Sequence, residues 1–297
     1  GGLRWQRDEA STRVDFDDVA FANADAAGAF TGHWKALPQG PGEIDVKAQL
    51  TRANVARVAD YLPSSFAPNV RDWLRRALVK GNASNLQMAV QGNLADFPFL
   101  TAKQGTMTLS AHVEGATLDY ANGWPQIDGI VADVHLDRAH VRVDGTRGSM
   151  LDAVIGHTVA DIADVEQGVL TIDGNATGTA ATFLQFLRQS PVSAWTGHFA
   201  DPVQAGGNGV LALKLSIPLH NIPATRADGT FVLAARGDVA FPGAPPLANV
   251  AGKLAFSEKG VVDGSFTADT LGGNARLALS HADDGLHINA AVSGNFG

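Results

Sequence analysis

The sequence predicts a mainly β fold, an elongated and twisted antiparallel meander that forms an open, β-taco-like groove and carries about three short helices. The main observation is a period of two: apolar residues occupy every second position from 107 to 113, from 211 to 219 and from 286 to 292. Successive strand side chains point to opposite faces, so each run has one apolar face and one polar face. Clusters of Gly, Asn, Asp and Pro separate the runs, which is typical of sequential strands joined by short turns.

Strands are predicted along most of the chain, because alternation and turn residues recur throughout it. The first strands precede residue 51, and strands resume after each helical segment. The predicted strands are 14–16 with 19–21, 29–37, 44–50, 86–94, 105–120, 127–137, 140–146, 150–164, 168–177, 208–219, 229–241, 247–257, 260–270, 273–281 and 285–296.

Two helices are predicted within a helical insertion at 51–81. In the first, apolar residues of 55–62 recur at spacings of three and four behind a Thr51 cap. In the second, 70–78, an apolar face lies opposite a face with three arginines, and Gly81 ends the helix.

A third helix is predicted behind a cap at Thr179. Phe183, Leu184 and Leu187 share one side of it. The helix ends ahead of Pro191, because the residue before a proline avoids the helical region.

The composition limits the function classes. The chain has 297 residues, with 22 basic and 30 acidic side chains and a net charge of −8, which argues against nucleic-acid binding. There are no cysteines, so disulfides and thiolate metal sites are excluded. No apolar stretch approaches the roughly 18 residues that a membrane-spanning helix needs. We interpret the chain as an internal segment of a longer protein.

The sequence offers no catalytic or metal-binding motif. The nine histidines, including His112, His135, His140 and His287, lack metal-ligand spacing and are interpreted as solvated side chains. The glycine-rich run at 206–209 is followed by a strand instead of the helix that a phosphate site requires. We therefore predict that the chain is not an enzyme and holds no metal and no cofactor.

One stretch of the chain resembles the YhdP-type AsmA-like family, bacterial envelope proteins related to TamB. The resemblance covers about residues 50–190 and preserves the order and spacing of several short motifs. These motifs are Tyr61-Leu62-Pro63, the run from Val70 to Leu78 with Trp73-Leu74, Gly81, the run from Gln91 to Phe99 with its Phe97-Pro98-Phe99 end, the run from Ala116 to Ala121, and Gly123-Trp124-Pro125.

The resemblance implies a function and a location. It implies an inner-membrane-anchored periplasmic protein of a Gram-negative bacterium, whose strands build a bridge-like groove that moves phospholipid acyl chains between the two membranes. Partners at the inner and outer membranes would bind parts absent from this chain. In this interpretation 1–297 is one elongated groove segment, with the family-like central region at 86–190 and further groove strands at 208–297.

Candidate groove-lining residues follow from the apolar positions of the alternating runs. Their hydrocarbon side chains suit acyl chains, which need dispersion contacts without directional bonds. The candidates are Met107, Leu109, Val113, Leu211, Leu213, Leu215, Ile217, Leu277, Leu279, Leu286 and Ile288.

Alternation leaves two other functions open. If the apolar face folds against itself, the result is a closed β-sandwich or solenoid that acts as a structural or protein-interaction module of the cell envelope. A polysaccharide-active β-domain is a third interpretation. An open face, in contrast, exposes more apolar surface than a monomer normally tolerates, and this indicates a lipid or partner ligand.

Overall fold

The computed structural model describes residues 1–8, 11–63, 66–101, 103–198, 200–282 and 285–294, with only the backbone described for Ala235, Arg236, Ala282 and Leu286. The predicted fold class is confirmed, since the chain is mainly β with an open antiparallel sheet and few helices. None of the described helices is long and apolar enough to cross a membrane.

The described elements alternate long strand runs with short helices. The strands are β1 Gly2–Arg7, β2 Thr12–Ala22, β3 Ala26–Lys35, β4 Glu43–Asn54, β5 Leu78–Asn93, β6 Gly105–Leu118, β7 Ile127–Asp137, β8 His140–Met150, β9 Ala153–Ile162, β10 Val169–Thr179, β11 Gln204–Ala205, β12 Asn208–Pro218, β13 Arg226–Ala240, β14 Leu247–Ser257, β15 Gly260–Thr270, β16 Gly273–Ala282 and β17 Gly285–Ser293. The α-helices are α1 Pro68–Ala77, α2 Ala180–Gln189 and α3 Val192–Trp195, and the 3-10 helices are Val55–Asp60, Leu94–Asp96 and Ile222–Ala224.

The chain divides into two compact units. The first contains residues 1–119, 128–146 and 160–169, and the second contains 120–127, 147–159 and 170–297. In the first unit β1 to β6 form an antiparallel meander in which each strand pairs with the next. In the second unit β12 to β17 form another such meander, and β11 also pairs with β13. Short turns make most of these connections, whereas the helical insertion joins β4 to β5.

The helical insertion differs from its prediction in two places. The first helix is a 3-10 helix capped by Asn54, whose side chain accepts from the Ala56 N–H, while Thr51 still belongs to β4 and bonds the carbonyl of Ala27. The predicted Thr51 cap is therefore wrong, because strand pairing extends through Asn54. The second helix, α1, ends at Ala77 instead of Gly81, because β5 pairing with β6 already begins at Leu78.

The third predicted helix is confirmed as α2. The Thr179 side chain accepts from the Thr182 N–H at 3.1 Å, and the helix ends at Gln189 ahead of Pro191. The short strands β1 and β11, the helix α3 and the 3-10 helices at Leu94–Asp96 and Ile222–Ala224 were not predicted, because segments this short carry too few periods to be recognised.

Small side chains dominate the core. Most buried apolar residues are alanine or valine, and Phe99 is the largest fully buried side chain. One cluster joins Val55 to Ala83 and Ala111 in the first unit. The other joins Ala180 of α2 to Leu233 and neighbouring strand residues in the second unit. In both units a helical segment therefore packs on the sheet.

Removal of the α2 cap is expected to destabilise the second unit. Thr179→Ala deletes the acceptor for the Thr182 N–H and should lower the free energy of unfolding by about 1 kcal/mol, measured by urea denaturation of the chain. Thr179→Ser keeps the hydroxyl and is the matched control. Equal losses in the two variants would contradict the capping role.

Candidate functional site

The second unit has a continuous apolar face, here called the second apolar face, on β12 to β17. Residues directly opposite each other on paired strands point to the same side. The register joins Leu211 to Phe231, Phe231 to Leu254, Leu254 to Gly264, Gly264 to Leu279, and Leu279 to Ile288. Neighbouring positions on the same face are Leu213, Leu215, Leu233, Phe256, Phe266 and Leu277.

The predicted lining residues of this unit share that face. Leu211, Leu213, Leu215, Ile217, Leu277 and Leu279 are half-buried, and Ile288 is 59% exposed. The side chain of Leu286 lies outside the described residues. The opposite side of β12 carries Ala212 and Lys214, which are exposed. The alternation therefore separates a partly covered apolar face from an exposed face that carries Lys214 but also Val210 and Val232.

Sequence reasoning missed several residues of the second apolar face. Phe231, Leu254, Phe256 and Phe266 lie among the predicted leucines, but glycines interrupt the apolar positions of β13 to β15. Only the strand register shows that these residues share the face. The feature that marks this face is an aromatic residue opposite a glycine on the preceding strand. Phe256 lies opposite Gly229, and Phe266 lies opposite Gly252.

The glycine at 229 lets an aromatic ring lie flat on the sheet. A Cβ atom at Gly229 would clash with the ring of Phe256, and a Cβ at Gly209 would clash with the ring of Phe231. Because no side chain stands beneath these rings, they lie close to the backbone of the neighbouring strand. The second apolar face is therefore lined by leucines and by rings that lie over glycines of the neighbouring strand.

Helix α2 covers one part of this face. Ala180 packs with Leu233, and Phe183 meets Phe231 edge to face, with ring centroids 5.1 Å apart. The helix is held by the Ala180 N–H, which donates to the Gly207 carbonyl at 2.9 Å. Arg188 fixes its other end by donating to the carbonyls of Ala200 and Val203. Leu213, Leu215 and Leu279 do not belong to the cluster beneath α2.

The first unit has a corresponding surface, the first apolar face, on β2 to β6. Its register joins Gly32 to Val46, Val46 to Val90, and Val90 to Met107. The adjacent row joins Ala48 to Met88 and Met88 to Leu109. The predicted lining residues Met107, Leu109 and Val113 are half-buried on this face, where Leu109 and Val113 pack around Val55.

Three phenylalanines cover another part of the first apolar face. Phe99 is fully buried, and Cβ atoms built at Gly92 and Gly105 would lie 2.7 and 2.8 Å from its ring. The Phe97 ring lies 5.5 Å from that of Phe99, and the Phe66 ring lies 5.7 Å from that of Phe97, both edge to face. Phe66 comes from the segment before α1, so two separate loops meet here.

The polar face of the first unit carries ion pairs. His112 Nδ1 lies 2.7 Å from Asp133 Oδ1, and His140 Nε2 lies 2.7 Å from Asp161 Oδ2. The hydrogen bond to Asp133 raises the pKa of His112, and Glu114 adds to the effect. A depression of about 420 Å³ is lined by polar residues such as Lys47, Gln87 and Arg142 together with the apolar residues Ala48, Met88, Leu109 and Leu136.

The polar residues near α3 do not form a hydrolase site. Ser193 Oγ and Asp201 Oδ2 lie 2.8 and 3.3 Å from the same atom, His198 Nδ1. A catalytic triad requires the serine and the carboxylate on opposite ring nitrogens. Among the residues with described positions, no group of three or more His, Asp or Glu side chains forms a metal site.

A family model supplies the remaining evidence on identity. The model described as YhdP protein matches residues 1–296. The chain belongs to the YhdP family. The predicted resemblance is thus confirmed, and it extends well beyond 50–190 on both sides. No curated protein and no solved structure matches the chain significantly. Membership in the YhdP family indicates a lipid-transport-related protein of the envelope.

The His112 pair generates a prediction about pH. Asp133→Asn is expected to lower the pKa of His112 toward its ordinary value, measured by NMR titration of the imidazole. The folded pKa is raised, so the pair contributes stability below the unfolded pKa, and this contribution is lost as the pH rises through the folded pKa. Glu114→Gln should lower the pKa less. An unchanged pKa in Asp133→Asn would contradict the assigned cause.

The contact between the Phe256 ring and Gly229 generates a second prediction. Gly229→Ala forces the Phe256 ring off the sheet and should lower the free energy of unfolding by about 1–3 kcal/mol, measured by urea denaturation. Gly2→Ala is the control, because nothing lies within 4 Å of its added Cβ. In a Phe256→Ala background the cost of Gly229→Ala should shrink. The same cost in both backgrounds would refute the contact.

Proposed function

We propose that this chain is a segment of an intermembrane phospholipid transporter and binds acyl chains on its two apolar faces. The observation that carries the proposal is the continuous apolar register from Leu211 to Ile288, whose leucines are half-buried instead of sealed. A soluble sheet seldom keeps such a face without a partner. The family membership supports a lipid as that partner.

The chemistry of the faces suits hydrocarbon. Transfer of a methylene group from water to an apolar surface contributes about 0.8 kcal/mol. The two central rows of the second apolar face, from Leu211 to Ile288 and from Leu233 to Ala290, offer leucine, isoleucine and phenylalanine side chains together with glycine and alanine. Dispersion contacts of this kind vary little from strand to strand, so an acyl chain can shift along the face without breaking directional bonds.

The polar faces keep the opposite side of the sheet in water. Lys214 pairs with Asp173 at 3.3 Å, and Arg226 pairs with Glu258 at 3.3 Å. The Ala227 N–H donates to Glu258 and lowers the pKa of that carboxyl, and Arg226 adds to the effect. These charges favour one orientation of the sheet toward a bound lipid, with hydrocarbon on the leucine side and the phospholipid headgroup in solvent.

The proposed location and partners of the chain rest on its family membership. We place the chain in the periplasm of a Gram-negative bacterium, as part of an inner-membrane-anchored protein that contributes to outer-membrane biogenesis. Its inner- and outer-membrane partners would bind other parts of that protein. The net charge of −8 argues against nucleic acid as a ligand. We propose no enzymatic role and no cofactor, because lipid movement along an apolar face needs no bond to be made.

A charge on the second apolar face is expected to reduce lipid binding strongly. The chain is purified with and without Leu213→Asp, incubated with vesicles of phosphatidylethanolamine and phosphatidylglycerol, re-isolated, and its bound phospholipid is measured by native mass spectrometry. A carboxylate at this position must be desolvated beside hydrocarbon, so bound phospholipid should fall at least about tenfold, which corresponds to about 1.4 kcal/mol.

The neighbouring position supplies the control. Ala212→Asp places the same charge on the same strand but on the exposed polar face, and it should leave lipid binding unchanged. If Leu213→Asp unfolds the chain by circular dichroism, a benzophenone amino acid at 213 and at 212 replaces the test. Lipid crosslinking at 213 alone supports the proposal. Lipid-free protein, or equal crosslinking at both positions, contradicts it and favours the closed structural module.

A further inference from the structure

The depression of the first unit, here called the polar depression, carries polar side chains on the side of the sheet opposite the first apolar face. The register of β4 to β6 joins Lys47 to Ala89 and Ala89 to Thr108, and all three residues line the depression. Because successive strand residues point to opposite sides, these side chains point away from Met88 and Leu109. Ala89 is short and lies between two longer side chains, so it forms a floor that Lys47 and Thr108 flank.

The rest of the polar lining surrounds this floor with hydrogen-bonding groups. In the adjacent row Gln49 pairs with Gln87, and Gln87 pairs with Ser110. His135 and Arg142 come from β7 and β8 and line the same depression. Its volume of about 420 Å³ falls within the roughly 300–1,000 Å³ that is usual for small-ligand sites. The polar depression therefore has the size and the polar groups to bind a small hydrophilic molecule.

The carboxylates beside the polar depression already have cationic partners within the protein. Arg142 donates to both carboxylate oxygens of Asp144, at 2.9 and 2.8 Å, and its guanidinium lies 3.8 Å from Asp161. Asp137, which lines the depression, pairs with Arg138 at 3.1 Å. A cationic ligand would have to displace one of these partners to reach a carboxylate. The site is therefore poorly suited to a cation.

Lys47 and His135 differ from these groups in having no partner. Among the residues that the structure describes, neither side chain forms an ion pair or a hydrogen bond, and the same holds for the side-chain amides of Gln49 and Gln87. One ammonium charge and several neutral hydrogen-bonding groups thus remain to be satisfied. A ligand that satisfies them brings negative charge and several acceptor oxygens, and a phosphate group combines the two.

We propose that the polar depression binds a phosphate ester, with the phosphate held by Lys47 and Gln87. These residues are diagonal neighbours on paired strands, a spacing that long side chains can bridge. The depression is larger than one phosphate, so Ser110 and His135 contact the hydroxyl groups of the esterified part. The ester is either a soluble molecule or a phospholipid headgroup at a membrane surface. The inference does not depend on the acyl-chain binding proposed above, because the site lies on the other side of the sheet.

The test measures the binding of glycerol phosphate to the purified chain by isothermal titration calorimetry. Lys47→Gln removes the ammonium charge and keeps a polar side chain, so it should weaken binding about fivefold, as expected for a partly exposed ion pair. Ala89→Leu keeps every charge but fills the floor of the polar depression, and it should abolish the binding heat.

A lysine of the second unit supplies the matched control. Lys253→Gln removes the same charge from β14, outside the polar depression, and should leave the affinity for glycerol phosphate unchanged. Circular dichroism checks that each variant is folded, and Lys47→Gln alone decides if Ala89→Leu unfolds. Absence of saturable binding by the unaltered chain, or the same affinity in Lys47→Gln as in Lys253→Gln, overturns the site.

Flotation of the chain with phosphatidylglycerol vesicles identifies the source of the phosphate. Flotation that glycerol phosphate competes away and that Lys47→Gln weakens assigns the site to a lipid headgroup. Calorimetric binding without such competition assigns it to a soluble ester. The calorimetric binding should persist in Leu213→Asp, whose substitution lies on the second apolar face. If that variant loses phospholipid but keeps glycerol phosphate, the two proposals hold separately, whereas lipid binding without any response to glycerol phosphate refutes only the polar depression.

Discussion

A β-strand that places apolar side chains on one side creates a surface that must be kept from water, and the fold is organised by the ways in which the chain covers it. Two coverings are present. Helical segments lie on the sheet through Val55 in the first unit and Ala180 in the second. Aromatic rings cover further area, and they do so by lying flat on glycine, as Phe99 does on Gly92. The second apolar face keeps half-buried leucines at 213, 215 and 279, and this incomplete covering supports the proposed lipid ligand.

The choice of small residues follows from the same constraint. A helix or a ring can approach a sheet closely only where side chains are short, and the buried positions are accordingly mostly alanine and valine. Leu233 and Phe231 are the residues of the sheet that α2 meets. A sealed core would instead fill both facing layers with interlocking large side chains.

The sequence determined the strand pattern and the family, but only part of the site. The strands β7, β14 and β15 lie where alternation placed them, because each period-two run is long and ends in turn residues. The helix α2 was identified because Thr179 and Pro191 mark its ends. Phe256 and Phe266 were missed because their role depends on which glycine faces them across a register that no local pattern encodes. The meeting of Phe66 and Phe97 was missed for a similar reason, since contacts between distant loops leave no periodic signal.

Incomplete covering is also what transport along a face would require. A fully sealed face excludes lipid. A fully open face would bind the apolar surfaces of other molecules, and the protein would aggregate. An apolar face that is covered by weak apolar contacts lies between these limits. A contact with a protein side chain can be exchanged there for a contact with an acyl chain at little net cost in free energy. The polar contacts of the fold are found elsewhere, at Asp25, at Arg188 and along the outer side of the strands. Keeping directional bonds off the apolar faces leaves those faces free to exchange partners while the sheet itself stays fixed.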